Sequence, residues 1–427
     1  MNPGPGGARP GSGPGPAPGR AQGLLPADDP VIDDLRTGFR HLSSRFYLPS
    51  LLATTGTMML VPTLPVFVRE QSESLALASV ILAAAAAGGL LANLPSGALV
   101  GRFGERSGFL GGIALSAAGT AGLALPGGLW LAFASCLAAG AGQSSRLLAR
   151  QSYARRVIGP SIRGRLMALY GGLGRAALLI GPLAGGLLGQ AIGLKPTFLV
   201  AAGLMLAALI QGSLAGGRVS SVSRSRTSAH TARSVYAQVV RRHGPIIALA
   251  GLGQLGAAVV RFGRLIVIPL YGREVLGLGI DEIGFVVAMA SGLDLALFPV
   301  AGWTMDRFGR LYAIVPSFVL LSIGLMTLPL AHSYWGLVAV SVLIGLGNGL
   351  GSGTMLTMST DLAPADSPAE FLSMVRLLAD LGRIAGPLVV GIIGQYFSLG
   401  TSAIVLGVVG VATAVLFARG IGESGNR

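Results

Sequence analysis

Twelve apolar stretches, each 18 residues or longer, recur between Phe46 and Arg419: 46–68, 75–99, 109–126, 129–149, 165–190, 195–215, 245–271, 282–303, 311–331, 335–358, 371–396 and 400–419. At about 1.5 Å of rise per residue, each can cross a hydrocarbon core of about 30 Å as an α-helix. The stretches are continuously apolar rather than alternating, which suits helices and not barrel strands. In lipid a helix bonds its backbone N–H and C=O groups within its own segment. Only 11% of the chain is charged, against about 25% in an ordinary soluble domain. The expectation is an all-α integral membrane protein with twelve transmembrane helices.

Two passages each occur twice at one offset. Residues 97–104, GALVGRFG, return as GWTMDRFG at 302–309, and Gly181-Pro182-Leu183 with Gly186, Gly189 and Gln190 returns as Gly386-Pro387-Leu388 with Gly391, Gly394 and Gln395, both 205 residues later. A period this long duplicates a whole bundle. Each copy holds an even number of spans, so the second enters the membrane in the same orientation, as two parallel six-helix repeats. The expected organisation is 1–45 as a disordered or amphipathic cytoplasmic N-terminus, 46–215 as the first bundle, 216–244 as a cytoplasmic linker, 245–419 as the second bundle and 420–427 as a cytoplasmic tail. Residues 1–30 are rich in proline and glycine, and no apolar core follows their basic residues as it would in a signal peptide.

Basic residues crowd one side of these spans. Arg146, Arg150, Arg155, Arg156, Arg163 and Arg165 surround one loop, while Arg69, Lys195 and Arg273 are alone on the other side, which predicts cytoplasmic termini in a cytoplasmic membrane. The net charge of +14 is spread over short loops without interleaved aromatics, so it reads as a positive-inside surface and not as a nucleic-acid site. Cys136 is the only cysteine, the four histidines are far apart, and the only lysine, Lys195, follows leucine, so there is no Cys-based zinc site and no Walker A loop. No G-x-S-x-G elbow occurs. The glycine run 345–351 lies inside an apolar span, where helix packing explains it better than nucleotide binding. The chain is expected to be neither an enzyme nor a holder of a cofactor or metal.

The twelve spans, arranged six plus six with a G-x-x-x-D-R-x-G-R type loop between spans 2 and 3 and again between 8 and 9, resemble the major facilitator superfamily over about residues 46–419. The second loop carries Gly302, Asp306, Arg307, Gly309 and Arg310. The first keeps Gly97, Arg102, Gly104 and Arg106, but has Gly101 in place of the acid and Glu105 in place of a base. The resemblance implies a cytoplasmic gate at these loops, weaker at the first. In span 5, Gly181, Pro182, Gly185 and Gly186 resemble the G-P-x-x-G-G signature of the family's antiporters, above all its drug/proton exporters. Proline kinks the helix, and glycines at four-residue spacing give a flat face for a neighbour. Span 4 departs from the exporter pattern, with Cys136 where an arginine often precedes a glycine, here Gly140.

Intramembrane charges are costly and rarely idle. They are Arg175 in span 5, Arg261 and Arg264 in span 7, Asp294 in span 8, and Asp380 and Arg383 in span 11; spans 1 to 6 hold no acid. Arg261 and Asp294 lie at similar depth on consecutive helices and can pair, with Arg175 as a rival partner. Asp380 and Arg383 share a helical face. Asp294, with Asp380 second, is either a proton-coupling acid or one half of a structural ion pair. The resemblance places spans 1, 4, 7 and 10 along the pathway, making Thr55, Met58, Met59, Gln143, Gln254, Asn348 and Met355 cavity candidates. The expected function is alternating-access efflux of hydrophobic or amphipathic small molecules coupled to protons, by a monomer among membrane lipids. The alternatives are a carrier of an organic anion or siderophore-like compound, with the arginines as clamps, and a non-transporting sensor or scaffold.

Overall fold

The computed structural model describes residues 43–157, 160–214 and 229–420. The sequence expectations for residues 1–42, 216–228 and 421–427 lie outside the described residues, as do those for the side chains of Arg155, Arg156, Arg163 and Arg165. The first half comprises α1 (Leu48–Gln71), α2 (Leu75–Phe103), α3 (Glu105–Gly122), α4 (Gly128–Val157), α5 (Pro160–Ile192) and α6 (Leu194–Leu214). The second comprises α7 (Ala229–Glu274), α8 (Ile280–Phe308), α9 (Arg310–Thr327), α10 (Tyr334–Leu350), α11 (Thr354–Asp361), α12 (Pro368–Tyr396) and α13 (Leu399–Gly420). The described residues contain helices and turns but no strand.

With α10 and α11 counted as one interrupted rod, each half supplies six rods, as the repeat predicts. Among the described residues, ten helical stretches are long and apolar enough to cross a membrane. The third and fourth rods fall short because α3, only 18 residues long, opens on Glu105 and Arg106 and is rich in glycine, and α4 turns polar from Gln143 onward and carries arginines in its second half. Both are nevertheless packed within the first bundle, α3 against α4 and α6, and α4 against α2.

Each bundle has its own core. Phe46 stacks on Tyr153 at 4.2 Å and tilts against Phe109 at 4.9 Å in the first, while Phe318, Leu321, Leu325, Ile344, Leu406 and Phe417 are wholly buried in the second. Small residues let backbones approach where lipid gives no hydrophobic drive between helices. A Cβ at Gly345 would lie 2.6 Å from the Ala290 carbonyl, one at Gly347 2.5 Å from the Leu321 nitrogen and one at Gly349 3.0 Å from the Asp294 Cα. The glycine run of span 10 is therefore a packing surface wedged against α8 and α9.

The halves meet along two equivalent seams, α5 against α8 and α2 against α12. The 205-residue offset converts one seam into the other. The turns between spans 2 and 3 and between 8 and 9 are also equivalent: Gly104 (φ 86°, ψ 164°) and Gly309 (φ 102°, ψ 166°) each cap a helix in a region open essentially only to glycine. Gly309→Ala is expected to cost about 1–3 kcal/mol of stability. Gly302→Ala, where an added Cβ meets nothing within 4 Å, should leave thermal unfolding of the purified protein unchanged.

Two features differ from the sequence expectation. Span 10 is broken: Gly353 adopts φ 81° and separates α10 from α11. The stretch read as a linker is helical from Ala229 and runs into span 7 through a kink at His243 (φ −121°, ψ 16°), just before Pro245. There Arg242 pairs with Asp366 at 3.0 Å and the His243 ring at 3.2 Å, tying the kink to the α11–α12 turn. The His243 hydrogen bond holds the Asp366 carboxyl below its ordinary range. A lowered acid contributes stability above its unfolded-state pKa and loses it as pH falls through the folded value. The tie should therefore persist at neutral pH and loosen only in strong acid, read as faster proteolysis after His243 below about pH 4.

Candidate functional site

A cavity of about 370 Å³ lies between the halves, within the range of small-molecule sites. Its wall is mainly apolar, with Met58, Leu64, Leu82, Phe262, Leu265 and Ile266, and Gln143, Ser291, Arg264, Asp294 and Arg383 interrupt it.

Asp294 sits midway along α8. Its Oδ1 accepts from Ser352 Oγ at 2.5 Å and lies 3.5 Å from Arg175 Nη1, and its Oδ2 accepts from Asn348 Nδ2 at 3.0 Å. Arg175 also donates to Ser352 Oγ at 3.2 Å and lies over the Phe298 ring at 3.7 Å. The carboxylate thus joins α5 of one half to α8 and the span-10 break of the other. Arg261 is not its ion-pair partner. Arg175 reaches Asp294 across the α5–α8 seam, while Arg261 donates instead to the Gly351 carbonyl at 2.9 Å, where the break frees backbone acceptors.

The equivalent seam carries the second acid. Asp380 pairs with Arg383 at 3.3 Å and accepts from Asn93 Nδ2 of α2 at 3.1 Å, and Asn93 Oδ1 accepts from Ser144 Oγ of α4 at 2.6 Å. Asp380 and Arg175 are 205 residues apart, and so are their seam partners Asn93 and Phe298. Sequence reasoning passed over Asn93, Ser144, Phe298 and Ser352. Applying the repeat offset to the neighbours of each intramembrane charge would have pointed to the first and third.

Several cavity candidates lie elsewhere. Met58 and Gln143 line the wall, but Met59 and Met355 are core side chains, 1% and 7% exposed. Thr55 faces span 5, its carbonyl 3.0 Å from where a Gly181 Cβ would stand. Gln254 donates to Met355 O and Ser359 Oγ, both at 2.8 Å, and so braces α7 against α11. Asn348 serves Asp294. Helical spacing of methionine and polar residues marks a buried face without saying which neighbour it meets.

The antiporter-like glycines divide between two partners. Gly181 and Gly185 lie against Met58 and Met59 of α1, whereas Gly186 meets Gly284 of α8, where an added Cβ would be 2.8 Å from the Gly284 Cα. At the loops, Arg310 pairs with Asp361 at 2.8 Å and more loosely with Asp306 at 3.9 Å, fastening α9 to α11 inside one half. Arg307 lies near Trp303 and Phe308, Arg102 lies over Phe103, and Arg106 donates to the Gly212 and Ser213 carbonyls. Glu105 accepts from Ser152 Oγ at 3.0 Å. Each of these loop contacts stays within one half.

The halves are also fastened at the face where α1 and α7 end and α2 begins. Arg69 pairs with Glu274 at 2.7 Å, Arg273 with Glu70 at 3.3 Å, and Gln395 Oε1 accepts from the Leu75 N–H at 2.6 Å. Arg69 and Glu274 are repeat equivalents, so the pair spans the local two-fold. Half-exposed pairs contribute about 0.2–1 kcal/mol, so Arg69→Ala should open this face only slightly. Arg69→Glu, which sets a third carboxylate among Glu70 and Glu274, should open it clearly, read as a longer distance between spin labels at Gln71 and Val275.

The sequence pattern of the Major Facilitator Superfamily matches residues 47–280 and 250–425. The chain belongs to this superfamily. It is therefore a multi-pass membrane transporter and not an enzyme. Multidrug resistance protein MdtH of Shigella flexneri serotype 5b is 25% identical over 330 residues, covering 74% of this chain and 78% of that protein. The MdtH of Escherichia coli K12 is 25% identical over 329 residues, with the same coverage. Among solved structures, the nucleoside transporter NupG superposes with a TM-score of 0.73 at 11% identity, covering 90% of this chain and 100% of its own. A POT family transporter in complex with 5-aminolevulinic acid superposes at 0.70 and 16% identity, covering 89% and 95%. Those structural likenesses establish the superfamily fold alone.

Proposed function

We propose that the chain is a proton-coupled exporter of amphipathic small molecules, working by alternating access as a monomer in a cytoplasmic membrane with both termini in the cytoplasm. The observation that carries this reading is Asp294: a carboxylate in the wall of an apolar cavity between the halves, bound by donors from α5 and from span 10. Gaining a proton would release Arg175 and slacken the α5–α8 seam, which links protonation to the packing of the halves. The multidrug relatives and the glycine seam of span 5 favour export by exchange. The fastened face would then be the outer one, giving a conformation from which cytoplasmic substrate is taken.

The test is proton movement in liposomes containing the purified protein. Adding an amphipathic compound to one side should drive protons the opposite way, in proportion to protein. A panel of neutral, cationic, anionic and zwitterionic amphiphiles that moves no protons, while labelled compound still equilibrates, would replace exchange with uniport. No flux of either kind would favour a sensor or scaffold.

A further inference from the structure

Arg264 differs from the other intramembrane arginines. Arg175 has Asp294 and Ser352, Arg261 has the Gly351 carbonyl, and Arg383 has Asp380. Among the described residues, Arg264 makes no hydrogen bond or ion pair at any of its nitrogens, and the side chain lines the cavity; its Nε is buried without a partner, as are those of Arg261 and Arg383. A guanidinium offers five donors in a fork that matches a carboxylate. Leaving it unmatched in a mainly apolar cavity wall is unfavourable unless a ligand completes it.

We propose that the cavity takes amphipathic zwitterions, with Arg264 holding a carboxylate and Asp294 an ammonium group while the apolar wall covers the body of the molecule. The assignment rests on the exchange reading above. For substrate and proton to exchange, the substrate must compete with the proton for Asp294, and a cationic group does so. A simple anion at Arg264 would be favoured when Asp294 is protonated, so it would travel with the proton. A simple cation would leave Arg264 unmatched and enter a site where Arg175, Arg261, Arg264 and Arg383 outnumber Asp294 and Asp380. Only a molecule carrying both charges uses both wall groups and gives the sign that exchange requires.

The probes are O-benzyltyrosine, its methyl ester, which lacks the anion, and its N-acetyl derivative, which lacks the cation. Binding is measured by calorimetry on the purified full chain at neutral pH. The zwitterion should bind at least about tenfold tighter than either derivative, as charge-assisted hydrogen bonds imply. Arg264→Gln should make the zwitterion and its ester bind alike, and Asp294→Asn should do the same for the zwitterion and its N-acetyl form. Arg264→Lys, which keeps the charge, should retain the preference over the ester and shows that the loss is not general misfolding. An ester that binds as tightly as the zwitterion, or equal weakening of both by Arg264→Gln, overturns the assignment. So does the absence of saturable zwitterion binding. Binding is read without flux, so this pattern with no proton exchange in vesicles would sink the exchange reading and leave the zwitterion site standing.

Discussion

Asp294→Asn should yield a folded, monodisperse protein whose substrate-driven proton movement falls to the level of empty vesicles. Asparagine keeps the size of the side chain and an oxygen to accept from Ser352 Oγ, which now lies 2.5 Å from the carboxylate. Arg175 loses its counter-charge but keeps the Phe298 ring at 3.7 Å and the Ser352 hydroxyl at 3.2 Å. Breaking a fully buried pair costs about 3–5 kcal/mol; here both side chains retain some exposure, 17% and 13%, and the stacking offsets part of the loss. Asp294→Leu removes every acceptor and should reduce folded yield instead. The double variant Arg175→Gln with Asp294→Asn should recover the thermal stability that the single variant loses without recovering proton movement. If Asp294→Asn remains folded and still exchanges protons, Asp294 is only a brace, and Asp380, with Asn93 and Ser144, becomes the coupling group.

The fold was legible because its determinants are periodic. Span length and the 205-residue offset depend on composition summed over many residues, and such sums survive ignorance of side-chain contacts. The site was legible only in part. Asp294, Asp380 and the intramembrane arginines stand out against an apolar background wherever they point, and the rivalry between Arg175 and Arg261 for Asp294 turns on a seam that depth alone does not specify. Asn93 and Ser352 look like ordinary polar residues until their partners across the seam are known. The break at Gly353 was concealed because span 10 has no proline or charged residue to mark it, and its glycines, read as packing residues, serve both purposes: Gly345, Gly347 and Gly349 fit against neighbours while Gly353 turns the chain.

Glycines that fit against a neighbour also govern the fastened face. At the α5–α8 seam Gly186 and Gly284 are mutually in contact: a Cβ on Gly284 would lie 2.7 Å from the Gly186 Cα and 2.7 Å from the Pro182 carbonyl. At the equivalent seam Gly391 faces Ser79, and a Cβ there would meet the Ser79 side chain as well as the Leu75 carbonyl at 2.8 Å. Neither side of the Gly186 contact has a flexible side chain that could yield, so Gly186→Leu must separate the two backbones. Over-packing of this kind costs about 1–3 kcal/mol. The cost falls on the conformation in which this face is closed and is relieved when it opens, so it becomes a population shift of roughly 5- to 150-fold. Spin labels at Gln71 and Val275, both exposed at this face, should report a longer distance in Gly186→Leu than in wild type, measured with Cys136 replaced by alanine. Gly203→Leu is the control, since a Cβ there meets nothing within 4 Å. Export requires both conformations, so Gly186→Leu should bind ligand offered from the opened face while its turnover falls in step with the shift. An unchanged label distance with equally reduced turnover would instead place the effect on folding of α5.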